Sequence, residues 1–139
     1  MTHAPTTDGW RRSFADQSLS QFAEQFAEEI VLEATTLAKP VVGKHNVAAV
    51  LATASSIYES LEFTAEAQST STTYLQWRAT AFGGVQIEGV TVLEHDASSN
   101  IVAVAIHHRP LGAVLRFSAE IADRLAGVIP ADHFLKEST

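Results

Sequence analysis

Between Trp10 and Glu28 the apolar residues Phe14, Leu19, Phe22, Ala23 and Phe26 recur at three- to four-residue spacing. That period predicts one amphipathic helix, with Asp8 or Ser18 as candidate caps. The run Ile30-Val31-Leu32 predicts a short strand, and Lys39-Pro40-Val41-Val42-Gly43 breaks the chain after it. A second helix is expected from about Lys44 to Tyr58, burying Val47, Val50, Leu51, Ala54 and Tyr58.

Beyond Tyr58 the period falls to two. Leu61, Phe63, Ala65 and Ala67 alternate with Glu62, Thr64 and Glu66, as in a half-buried strand. Further strands are expected over 73–82, 85–94 and 101–109, joined by a two-residue Gly83-Gly84 turn and an Asp96-Ala97-Ser98-Ser99 turn. Pro110 suits the opening of a last helix striped with Leu111, Val114, Leu115, Ile121, Ala122 and Leu125. Helices followed by an antiparallel meander make an α+β fold. Residues 1–139 form one domain, with polar residues 1–8 expected to be loose.

A two-residue turn sets Phe82 opposite Val85. Tyr74, Gln76 and Arg78 then share a face with Ile87, Gly89 and Thr91, and the next pairing adds Val102, Val104, Ile106 and His108. Leu75, Trp77, Ala79, Val90, Val92, Ala103 and Ala105 occupy the other face. A change of one residue in either turn exchanges the two sets.

Composition narrows the chemistry. The 139 residues carry a net charge of -7, which disfavours nucleic acid and anionic membrane surfaces, both of which attract basic footprints. There is no cysteine, so disulfides and thiolate metal sites are excluded. His107 and His108 point opposite ways on a strand, and His3, His45, His95 and His133 lack ligand spacing, so no metal is expected. No Walker loop, GxGxxG or nucleophile elbow is present, and no cofactor is expected. No signal-peptide pattern or membrane-span-length apolar run occurs either, which reads as a cytoplasmic protein.

The stretch Phe26-Ala27-Glu28-Glu29-Ile30-Val31-Leu32-Glu33, followed by Pro40-Val41-Val42-Gly43-Lys44, resembles the nuclear transport factor 2-like superfamily. Gly89-Val90-Thr91-Val92-Leu93, the Asp96 turn, Ile101 and Arg109-Pro110-Leu111 extend the similarity to its SnoaL-like branch, over roughly residues 14–125. The resemblance implies a cone-shaped α+β barrel: a curved antiparallel sheet wrapped around N-terminal helices, with a C-terminal helix and a pocket between. It also implies a homodimer paired through the sheets. Matched onto ketosteroid isomerases, the catalytic base position is Ala34, the oxyanion-hole acid lies near Thr91, and its partner tyrosine lies near Trp10. None of these residues can play those parts. Matched onto limonene epoxide hydrolase-like proteins, the last-strand aspartate is Ile106, the first-strand Tyr and Asn are Leu32 and Ala34, and Arg78 stands in for the central arginine with Gln76 beside it. An amide is no base near neutral pH.

The candidate ligand-contacting residues are therefore a polar strip of Tyr74, Gln76 and Arg78, with His108, Tyr58 and Thr91. Phe63, Phe82, Ile87, Val104 and Ile106 are the apolar wall. The strip either orients a ligand or lies outside the sheet, at an interface or in solvent. His108 is either a pocket acid or base or a structural histidine. Trp10 and Trp77 read as a helix anchor and a sheet-face anchor. The expected function is binding, isomerising, cyclising or hydrolysing a small hydrophobic or amphipathic molecule without the relatives' acids and bases. The alternative is a non-catalytic homodimeric module that associates through the apolar sheet face.

Overall fold

The N-terminal periodicity divides where Gln17 takes a left-handed conformation, φ 52°. In the computed structural model, which describes residues 7–135, α1 (Asp8–Asp16) stops there. Ser18 then caps α2 (Leu19–Glu24) by accepting a hydrogen bond from the Gln21 amide. The expected single helix is two, and its last turn is strand: β1 runs over Phe26–Ala34. The reason is tertiary, since Phe26 pairs with Ile101 and the Ile101 amide donates to the Gln25 carbonyl. Of the stretch expected to be loose, residues 1–6 lie outside the described residues. Thr7 is buried, its hydroxyl donating to Glu66, and Asp8 opens α1.

β2 (Val41–Val42) pairs with β1, and α3 (Lys44–Ile57) follows, burying Val47, Val50, Leu51 and Ala54. β3 (Ser60–Ser69), β4 (Thr72–Ala81), β5 (Val85–His95) and β6 (Ile101–Arg109) form the meander. The sheet order is β2-β1-β6-β5-β4-β3, an open six-stranded sheet. It is antiparallel except between β1 and β6, whose parallel pairing the purely antiparallel expectation missed. On the edge strand β3 only Leu61 and Phe63 turn inward. A register shift between Phe63 and Ala65 leaves Ala65 and Ala67 in solvent. Pro110 stands just before α4 (Leu111–Arg124), which buries Val114, Phe117 and Ile121 while Leu111 faces water. A short 3-10 turn, Ala131–His133, brings Phe134 back beside Leu37 and into the core.

The decisive departure is the β4–β5 turn. Ala81, not Phe82, opposes Val85, so the loop has three residues, Phe82, Gly83 and Gly84, all with positive φ. The Glu59 carboxylate accepts both the Gly83 and Gly84 amides at 2.9 Å. That extra residue reverses the faces of β4. Leu75, Trp77, Ala79 and Ala81 turn inward with Ile87, Thr91 and Leu93, and Tyr74, Gln76 and Arg78 turn outward. The β5–β6 register differs by two residues from expectation, Thr91 opposing Ile106, and so keeps its faces.

Candidate functional site

Between the concave side of the sheet and the helices lies a cavity bounded by two aromatic groups. Trp10 and Phe14 of α1, Phe22 of α2 and Phe63 of β3 form one, with ring centroids 5.0–6.3 Å apart. Tyr58, Trp77, His108 and Phe117 form the other: Tyr58 stacks on Phe117 at 4.8 Å, and His108 meets the Trp77 ring edge-on at 5.5 Å. Leu32, Ala34, Leu51, Ile106 and Ile121 fill the wall between. Among the described residues no Asp, Glu, Lys or Arg lines the cavity.

Trp77 reaches this position because residue 89 is glycine. A Cβ there would lie 2.4 Å from Trp77 Cζ2 and 2.7 Å from the His107 carbonyl, so the indole lies directly over the β5 backbone. From there its Nε1–H donates to the Thr91 hydroxyl at 3.0 Å inside the core. His108 is placed by its own backbone, whose amide donates to Thr35 Oγ1 at 3.0 Å. Its Nδ1 and Trp10 Nε1 are shielded from water and have no partner among the described residues.

Burial, with a smaller push from His107, lowers the His108 pKa to about 4. The ring is neutral at pH 7 and carries one donor and one acceptor. Burial raises the Tyr58 phenol above its ordinary range, so it stays protonated and can donate. The site offers hydrogen bonds and no net charge.

The walls leave about 30 Å³ free, room for about two waters at ~10–15 Å³ each and short of the roughly 300–1,000 Å³ of pockets for drug-sized molecules. A surface groove shares Phe14, Tyr58, Leu61 and Phe63 with the cavity wall, so these half-buried side chains separate it from solvent. Arg11 packs against that partition. Its guanidinium sits 4.8 Å from the Phe63 ring centre and bonds Glu66 at 2.9 Å.

The structure gathers Tyr58, Phe63, Thr91, Ile106 and His108 around this cavity. It does not bring Tyr74, Gln76 or Arg78 there. Tyr74 is 42% exposed, and Arg78 pairs with Glu62 at 3.0 Å on the outer face. Phe82 lies in the turn, between Arg116 and Phe117. Ile87 and Val104 are buried in the core away from the cavity wall. Sequence reasoning missed Trp10, Trp77, Phe14 and Phe117 as wall residues. Trp77 was recoverable, because the odd positions of β4 are plainly more apolar than the even ones.

Among solved structures, a steroid delta-isomerase from Pseudomonas aeruginosa aligns at TM-score 0.78 with 20% identity, over 90% of this chain and 97% of that one. An uncharacterised protein with a cystatin-like fold from Silicibacter pomeroyi aligns at 0.78 with 18% identity, over 86% of each chain. An NTF2-like protein of unknown function from Mesorhizobium loti aligns at 0.65 with 16% identity, over 78% of this chain and 98% of that one. The fold is the nuclear transport factor 2-like fold. No family model matches the sequence, and no curated protein does. The positions that the resemblance matches to the isomerase base, acid and tyrosine are Ala34, Thr91 and Trp10, and all three line the cavity. Of the epoxide hydrolase matches, Leu32, Ala34 and Ile106 line it, whereas Arg78 does not.

Among the described residues no cluster of three His, Asp or Glu is arranged for a metal, and no helix is long and apolar enough to cross a membrane.

Proposed function

We propose that this chain binds a small, uncharged, mostly apolar molecule in the inner cavity and orients it by a hydrogen bond to His108. One observation carries the reading: an apolar cavity without carboxylates or cations holds a neutral histidine whose buried Nδ1 has no partner. A buried unpaired polar atom costs about 1–3 kcal/mol, which a ligand atom would recover. Charged ligands are disfavoured because nothing in the wall would compensate their desolvation. In an isomerase-type reaction on such a ligand, neutral His108 would take a proton from one carbon and return it to another while the Tyr58 phenol donates a hydrogen bond to the ligand oxygen. The narrow free space implies that Phe14, Leu61 and Phe63 move aside on binding. A cytoplasmic location belongs to this reading.

Thermal unfolding at pH 7 with cyclohexanone, and separately with cyclohexanecarboxylate, tests it. The neutral ketone should raise Tm in a concentration-dependent way and the anion should not. His108→Phe should weaken the ketone effect several-fold. Equal responses to both compounds, or none to the ketone, would remove the proposal.

A second reading rests on the outer face, where Tyr74, Val92 and Ala105 are cross-strand neighbours beside Val90 and Ala103. This strip departs from the apolar face expected for association, because Leu75 and Trp77 face inward. We propose that a second copy of the chain covers it, flanked by the Arg78–Glu62 and Arg109–Glu88 pairs. Light scattering should give a dimer mass, and Val92→Lys should give a monomer with unchanged ketone binding. A monomer at high concentration in the parent protein would sink this reading.

A further inference from the structure

Resting on the proposed ligand-binding role, the geometry points to Trp10 as a second anchor, and so to a ligand with hydrogen-bonding groups at both ends of an apolar body. The chain has two tryptophans and both line the cavity. One is satisfied: Trp77 Nε1–H donates to Thr91. The other is not, although Trp10 is 1% exposed and its Nε1 is cut off from water.

Indole is a donor and never an acceptor, so Trp10 asks for an acceptor atom from whatever fills the cavity. No acceptor among the described residues takes its proton. Ser13 Oγ donates to the Gly9 carbonyl and accepts from Gln25, whose amide also donates to the Gln21 carbonyl.

His108 Nδ1 is the second unpartnered atom on the same cavity, and it belongs to the other aromatic group, with Trp77 and Phe117. The third unpartnered nitrogen, His133 Nδ1, lies outside the cavity wall. Two unpaired atoms, one in each aromatic group, belong to side chains that line a mostly apolar interior. The matching ligand class is a compact neutral molecule with an acceptor for Trp10 at one end and a polar group for His108 at the other, such as a diketone or hydroxyketone. A ligand of this class would supply both missing hydrogen bonds.

Titration of 15N-labelled protein with cyclohexanone and with 1,4-cyclohexanedione, followed through the two indole N–H signals, tests this. The dione should bind about tenfold more tightly than the ketone and move the Trp10 signal downfield, with Trp77 serving as internal reference. Trp10→Phe should abolish the dione's advantage, so that dione and ketone bind that variant with equal affinity. Should that variant fail to fold, the downfield shift in the parent protein still decides the matter. If the ketone binds and the dione binds no better, or the Trp10 signal moves upfield with both, the second anchor is wrong and the binding site stands. If neither compound perturbs either indole, the binding site falls as well, and the anchor with it.

Discussion

His108 shows how a single position acquires chemistry from its surroundings. In water an imidazole titrates near neutrality, but enclosed by Trp77 and Phe117 its pKa falls from 6.5 to about 4. The unfolded chain therefore takes up a proton first as pH drops. The stability contributed by neutral His108 is intact above about pH 6.5 and is lost progressively as pH falls towards 4. The shift corresponds to at most about 3 kcal/mol at 1.36 kcal/mol per unit. Urea unfolding between pH 7 and 4 should show this decline, and His108→Phe should flatten it. An unchanged slope in the variant would assign the acid sensitivity to other groups. The alternation of β6 was enough to place this histidine on the inner face. Its missing partner was not legible, because that depends on every element packed around it.

At the scale of elements, one loop residue determines which half of β4 faces the cavity. The Gly83-Gly84 pair reads as a two-residue turn because glycine adopts positive φ freely and phenylalanine does not. Yet Phe82 takes φ 54°, with its ring against Phe117 and under Arg116, while Glu59 secures the next two amides. Local propensity lost to tertiary contacts. The residues of β4 held the contrary signal, since Leu75, Trp77, Ala79 and Ala81 outclass Tyr74, Gln76, Arg78 and Thr80 in apolarity. Replacing Phe82-Gly83-Gly84 by Asn-Gly should drive Arg78 and Gln76 inward and abolish cooperative thermal unfolding. Phe82→Asn, which keeps the length and tolerates positive φ, should remain folded. If the shortened loop melts like the parent, the register is set by something other than loop length. In the same way the reach of β1 to Phe26 depends on Ile101, distant in sequence, and no window of the N-terminal segment contains it.

For the whole molecule, the order of helices and strands from residue 44 to α4 was legible in its periods, and the space between sheet and helices was implied by the family resemblance. The parallel β1–β6 seam, the Phe134 return and the identity of most wall residues were not, because long-range pairing creates them. What results is an open sheet whose inner side is apolar, uncharged and nearly filled, with a partition of Phe14, Tyr58, Leu61 and Phe63 between its interior and water. Under the proposed function this interior accepts an apolar guest. Xenon needs no hydrogen bond and seeks apolar voids, so a crystal pressurised with the gas probes the interior itself. One strong xenon peak is expected between the Trp10–Phe63 and Trp77–Phe117 groups, with Phe63 displaced. An interior without xenon, while gas occupies only surface clefts, would contradict it.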